Sequence, residues 1–161
     1  MSTAEAPPEF RLERADAAPG PDPHSHPDVA GFWDGLAEGF LKVQRCRDCG
    51  TARFPLAPGC HACLGLDADW EAIDPAGTVN VAVRAHEAVA TLPPSGVSLP
   101  APWKGLAPYL TGAVDMPAGV RLPGRIICRC GEALRPGTPV RAVLLDTLSG
   151  LTGYGFAHAC E

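Results

Sequence analysis

The chain has 161 residues, room for one compact domain with an accessory module but not for two full-sized enzymatic domains. Its 46% hydrophobic and 19% charged residues suit a globular chain, and 18 glycines with 18 prolines favour turns and short strands over long helices. The net charge of -5 is concentrated in residues 1–28, which hold six acids and two bases, so the remainder is nearly neutral and lacks the overall basicity of a phosphate-tracking nucleic-acid binder.

No run approaches the roughly 18 consecutive apolar residues of a membrane span, and the first 27 residues lack the apolar core of a secretory signal. A cytoplasmic protein with no membrane partner is expected. In a reducing compartment seven cysteines read as metal ligands plus small buried residues, and their odd number argues against full disulfide pairing.

Residues 1–27 carry Pro7, Pro8, Pro19, Pro21, Pro23 and Pro27, which interrupt helix and sheet, and the segment is expected to be a disordered tail with His24 and His26 solvated. Residues 28–44 follow as an amphipathic helical segment. Asp28 is its expected N-cap, and Val29, Phe32, Trp33, Leu36, Phe40 and Val43 recur at helical spacing. Gly31, Gly35 and Gly39 form an adjacent smooth stripe, each costing about 1 kcal/mol against alanine in a helix interior. Two readings account for that cost: close packing against the protein's own strands, or a partner docking on a surface made of Gly31, Phe32, Trp33, Gly35 and Gly39.

Residues 45–68 contain CRDC and CHAC, two Cys-x-x-Cys knuckles ten residues apart. Thiolates from two such knuckles converge on one tetrahedral ion, so Cys46, Cys49, Cys60 and Cys63 are expected to hold zinc, with iron the rival that spacing does not separate. Four protein ligands leave no open position for water or substrate, which makes the ion structural. Cys128, Cys130 and Cys160 are expected to be small buried residues, and His86 and His158 to be hydrogen-bonded parts of strands.

Residues 69–161 read as a β domain. Val79, Val81 and Val83 alternate in TVNVAVRAH, the pattern of a strand with one buried face, and further strands are expected near 109–116, 120–128, 139–146 and 151–158. Five short strands without a long helix suit a small barrel of the OB-fold type. A Pro-rich loop with an isolated Trp103 spans residues 88–107. The fold class is therefore mostly β: an N-terminal helical segment, a rubredoxin-like zinc ribbon and a C-terminal five-stranded OB-fold barrel.

The stretch FWDGLAEGFLKVQRCRDCGTARFP, the CHAC knuckle, Trp70, PYL at 108–110, and GVRLPGR leading to PGTPVRAVL together resemble the zinc-ribbon and OB-fold family called domain of unknown function 35, associated with acyl-CoA metabolism. The resemblance spans about residues 29–158 and implies a structural Zn2+ on Cys46, Cys49, Cys60 and Cys63. It also implies a noncatalytic accessory subunit that binds a thiolase-like or ketosynthase-like enzyme and completes its site for an acyl-CoA or acyl-carrier thioester. On that reading Lys42, Arg45, Arg47 and Arg53, set against only Asp48 in residues 42–53, are candidates for the CoA phosphates, and Trp103 for the pantetheine arm.

Nucleic-acid binding is the competing reading, because ribbons and OB-folds are common there. Strands two and three of the barrel offer Tyr109 as their single aromatic, which leaves no stacking platform, although Arg121 and Arg125 are present. A free-standing enzyme is disfavoured by the lack of a nucleophile elbow, an open metal site or a phosphate loop in the sequence.

Overall fold

The computed structural model describes residues 6–23, 26–86, 106–131 and 133–160. A 3-10 turn at Pro27–Val29 leads into helix α1, Ala30–Glu38. The strands are β1 Glu13–Arg14, β2 Lys42–Cys46, β3 Ala52–Arg53, β4 Ala68–Ala72, β5 Ala76–Ala85, β6 Tyr109–Asp115, β7 Arg121–Ile127, β8 Pro139–Asp146 and β9 Thr152–Ala157. The expected barrel strands thus appear with their ends shifted by at most a few residues.

β3, β2 and β4 form an antiparallel sheet at the base of the ribbon. β5, β6, β7, β9 and β8 pair in that order, and β8 pairs back to β5, so the five strands close into the OB-fold barrel. β7 and β9 run parallel, with Arg125, Ile126 and Ile127 opposite Gly155, Phe156 and Ala157. One continuous core joins the parts: Leu36 of α1, Leu41 and Val43 at the ribbon base, and Val79, Val114, Leu122 and Phe156 of the barrel are buried in the same cluster.

The helix is shorter than the expected 28–44 segment. Gly39 takes a left-handed φ of 91°, and the N–H of Phe40 returns to the Gly35 carbonyl at 2.8 Å, which ends the helix. Leu41 and Val43 then alternate inward along an extended chain, a spacing that the helical pattern shares over so short a run. The N-terminal cap also differs: His26 Nδ1 accepts from the Asp28 N–H at 3.3 Å, ahead of the 3-10 turn.

The Pro-rich tail is ordered over its described residues. β5 begins at Ala76, opposite Arg141, and past the bond from the Ala142 N–H to the Pro75 carbonyl at 2.8 Å that edge of β8 has no ladder partner from the barrel. The tail fills that edge: β1 lies parallel to β8 with Glu13 opposite Val143, and the Gly20 N–H donates to the Asp146 carbonyl at 2.9 Å. Leu12, 5% exposed, anchors this strap in the core. Prolines block regular structure, but alternate backbone groups between them still pair with a waiting edge.

A register shift between Val79 and Val81 overturns one part of the alternation in β5. Val79 is buried, whereas Val81 and Val83 are 47% and 55% exposed. The extra residue of a bulge moves every later side chain to the opposite face.

Candidate functional site: metal centre, ribbon and cavity

The ribbon knuckles bring the thiols of Cys46, Cys49, Cys60 and Cys63 within 4.8 Å of one another. Tight turns build each knuckle: Gly50 N–H donates to the Cys46 carbonyl and Leu64 N–H to the Cys60 carbonyl, both at 2.9 Å, with left-handed φ of 71° at Gly50 and 66° at Leu64. Cys46 Sγ lies 3.5 Å from Cys63 Sγ, and Cys49 Sγ 3.6 Å from Cys60 Sγ. A tetrahedral ion with sulfur at about 2.3 Å holds its sulfurs about 3.8 Å apart, so this four-cysteine donor set is compatible with structural zinc.

Electrostatics support the same fit. The Thr51 hydroxyl and N–H draw the Cys49 thiol down to about 6. The Gly65 N–H favours a thiolate at Cys63 too, but crowding by Cys49, Cys46 and Cys60 overcomes it and pushes that thiol up to about 12. Four sulfurs this close cannot all ionise without a cation between them. The expected structural, closed site is therefore chemically coherent, and it offers no fifth position to a substrate.

The basic run beside the ribbon is largely neutralised. Lys42 pairs with Glu38 at 2.5 Å, Arg45 forks onto Glu71 and donates to the Gly50 carbonyl at 2.7 Å, and Arg47 pairs with Asp69 at 2.5 Å. The Asp69 carboxyl is held below its usual range chiefly by the hydrogen bond from Arg47. Arg53 has no acidic partner among the described residues, yet it is 2% exposed, with Nε and Nη1 lacking hydrogen bonds. The four cations expected to meet CoA phosphates are therefore engaged or enclosed: β4 supplies the acids for Arg45 and Arg47 across the sheet, a pairing invisible in the linear count, Glu38 of α1 meets Lys42, and Arg53 is buried. Trp103 lies outside the described residues.

The glycine stripe is likewise occupied by the protein itself. A Cβ at Gly31 would sit 2.3 Å from Trp70 Cε2, one at Gly35 2.8 Å from Lys42 Cγ, and one at Gly39 2.9 Å from Arg11 Nη1. Phe32 is 2% exposed and makes edge contacts with Trp33 at 5.1 Å and Tyr154 at 5.3 Å between ring centroids. Of the two readings of Gly31, Phe32, Gly35 and Gly39, internal packing fits these contacts, and the partner-docking surface does not.

Two features had no counterpart in the residue pattern. The first is a cavity of about 260 Å3 between the strap, Trp33 of α1, and the β7 and β9 strands. Trp33 Nε1, on one of its lining residues, is buried without a hydrogen-bond partner, and the Thr147 hydroxyl faces Asp22, whose carboxyl is held below its usual range first by the Ser149 hydroxyl and then by that of Thr147. Tyr154 closes one wall, donating to the Pro123 carbonyl at 2.5 Å. The residues come from several distant segments, so no local motif could announce them. The second is a correction: Cys128, Cys130 and Cys160 do not sit apart as small core residues but meet His158, and Cys130 is exposed.

On the barrel face that would stack bases, Arg121 pairs with Asp115 at 2.6 Å and Arg125 donates to the Ala18 carbonyl at 2.6 Å. Both guanidinium groups are thus engaged within the chain.

Comparison with known proteins agrees with this architecture. Residues 33–68 match the model of the ChsH2 rubredoxin-like zinc ribbon domain, and residues 70–145 match the ChsH2 C-terminal OB-fold domain, together most of the chain. The chain belongs to the ChsH2 zinc-ribbon and OB-fold family. A solved structure titled "Ltp2-ChsH2(DUF35) aldolase" is 26% identical, with a TM-score of 0.68 over 86% of this chain and 100% of that one. A DUF35 protein of unknown function from Sulfolobus solfataricus, 16% identical with a TM-score of 0.53 over 84% of this chain and 87% of its own, shares the fold. A curated relative from Thermomonospora curvata, "Probable enoyl-CoA hydratase alpha subunit", is 30% identical over 81% of this chain, which spans only 37% of that relative's length. No helix among the described residues is long and apolar enough to cross a membrane.

Proposed function

We propose that this chain is a noncatalytic accessory subunit that binds a thiolase-superfamily enzyme and helps form its acyl-thioester site, supporting acyl transfer or carbon–carbon bond formation or cleavage. The observation that carries this reading is the match of ribbon and barrel together, over 86% of this chain, to the whole of a chain in the structure titled "Ltp2-ChsH2(DUF35) aldolase". In this proposal Cys46, Cys49, Cys60 and Cys63 hold a structural zinc ion in the reducing cytoplasm, and the ion shapes the ribbon without touching the thioester. The cavity beside Trp33 and Tyr154 fits the thioester arm, because an apolar passage with the buried, unpartnered Nε1 of Trp33 matches an acyl–pantetheine chain with its carbonyls.

A second partner class has its own support: the Thermomonospora curvata relative is named as a hydratase subunit and is much longer than this chain, so the region shared with this chain accompanies further sequence there. Co-expression with a thiolase-like protein, and separately with an enoyl-CoA hydratase subunit, followed by size-exclusion chromatography and thioester turnover, tests both. Co-elution with the thiolase-like protein and activity that falls when this chain is omitted is the expected result. Co-elution with the hydratase subunit alone would transfer the role to the second reading, and a lone monomer that leaves both activities unchanged would overturn the accessory role.

A further inference from the structure

β7 and β9 are parallel neighbours, with Ile127 opposite Ala157 at the end of their shared ladder. Parallel strands finish at the same end of a sheet, so the residues that follow them, 128–130 and 158–160, leave side by side. The His158 N–H continues the pairing by donating to the Ile127 carbonyl at 2.9 Å. The sequence places a metal-ligating side chain at both ends of each exit: Cys128 and Cys130 on one, His158 and Cys160 on the other.

Their donor atoms meet at one point, each within 4.8 Å of all the others. His158 Nδ1 lies 3.6 Å from Cys128 Sγ and 3.7 Å from both Cys130 Sγ and Cys160 Sγ. Cys128 Sγ lies 3.8 Å from Cys160 Sγ and 3.1 Å from Cys130 Sγ. A tetrahedral ion with sulfur at about 2.3 Å and imidazole nitrogen at about 2.0–2.1 Å spaces sulfur from sulfur by about 3.8 Å and sulfur from nitrogen by about 3.6 Å. The three nitrogen–sulfur separations meet that requirement, and the Cys128–Cys130 pair needs only to open slightly.

We propose that Cys128, Cys130, Cys160 and the Nδ1 of His158 form a second zinc site, separate from the ribbon. Backbone groups are already aimed at one of its sulfurs: the N–H groups of Arg129 and Cys130 donate to Cys160 Sγ at 3.2 and 3.1 Å, the pattern that supports a thiolate in a metal knuckle. Three thiolates and an imidazole favour zinc over hard cations such as magnesium or calcium, which demand oxygen ligands. With four protein ligands the site is closed and structural. It fastens the ends of β7 and β9 beyond their last ladder bond. Arg129, between two of the ligands, pairs with Asp16 and donates to its carbonyl at 2.8 Å, so the same knuckle also grips the strap.

A disulfide between two of these cysteines would leave the third thiol and the imidazole nitrogen crowded around it without a partner, and the test separates that outcome. The full chain, produced with zinc and dialysed against metal-free buffer, is expected to retain two zinc ions per chain by elemental analysis. The double variant H158A/C160S is expected to retain one. Cobalt substitution of the wild-type chain should give the sum of a four-thiolate and a three-thiolate–imidazole spectrum, and the double variant the four-thiolate spectrum alone. A measurement on the wild type needs no variant to fold: alkylation of the native, zinc-loaded chain, read by peptide mass, should spare Cys128, Cys130 and Cys160 as well as the ribbon cysteines, and a chelator should unmask both groups. One zinc per chain with Cys128, Cys130 and Cys160 alkylated, a disulfide among those three, or two zinc ions retained in H158A/C160S would each overturn the proposal.

Discussion

Replacing Gly31 by alanine sets two physical effects of opposite sign against each other. In an exposed helix alanine is favoured over glycine by up to about 1 kcal/mol, and less at Gly31, which lies in the first turn of α1. Here the added Cβ would lie 2.3 Å from Trp70 Cε2, 2.4 Å from its Nε1 and 2.7 Å from its Cδ2. Comfortable carbon contacts lie at about 3.5–4.0 Å, so either the indole or the helix has to move by more than an ångström. Trp70 packs against the buried core and belongs to β4, the ribbon strand paired with β2, so it has little freedom to yield. Overpacking of this kind costs about 1–3 kcal/mol, which outweighs the propensity gain. For a chain of 161 residues a net loss of about 1–2 kcal/mol lowers the melting temperature by about 2–8 °C. G35A is the internal control, because its Cβ meets the middle of the flexible Lys42 side chain and should cost less. Thermal and urea unfolding of both variants decides the matter, and W70L should recover most of the G31A loss in a double-mutant cycle. A G31A protein at least as stable as the parent, with unaltered coupling to Trp70, would refute this reasoning and return the glycine stripe to service as a docking face.

Two further outcomes follow from the strap and the aromatic cluster. L12A removes the strap's buried anchor and should cost about 2–5 kcal/mol in urea unfolding, together with faster proteolysis of the first 23 residues; a loss under about 0.5 kcal/mol would mean the strap is not held by the core. Burial raises the Tyr154 hydroxyl from its ordinary 10 to about 12, so the unfolded chain loses this proton first. The resulting stabilisation is complete below pH 10 and declines as the pH rises through 10 to 12, by about 2–3 kcal/mol in all at about 1.4 kcal/mol per pH unit. Y154F should flatten that part of the stability profile, and an unchanged slope would show that another group sets it.

The barrel strands were legible because each carries its own local pattern. Runs such as YLTGAVD and PVRAVLLD are short apolar stretches bounded by turn signals, and observed ends agree with the expected ones to within a residue or so. The ribbon was legible because both knuckles are written in adjacent residues. What escaped is set by pairing between distant segments. The acids of β4 reach Arg45 and Arg47 only once the ribbon sheet forms, and the strap's order depends on an edge of β8 that β5 does not reach. The exposed Val81 and Val83 depend on a bulge, which a period-two reading cannot contain.

The four-donor cluster after β7 and β9 shows where such a signal could have been sought. Taken alone, Cys128 and Cys130 are two thiols short of a site, and His158 with Cys160 looks like chance. In a five-stranded OB barrel, however, the closure pairs one strand in parallel with another, here β7 with β9. The C-terminal exits of those two strands must then be adjacent, whatever lies between them in the chain. Two Cys-x-Cys or His-x-Cys pairs that each follow a predicted strand are therefore one candidate site when the strands close a barrel in parallel, and two unrelated pairs when they do not. Ligand spacing becomes informative only after topology has chosen which ends meet, and the barrel supplied that topology before any side chain was considered.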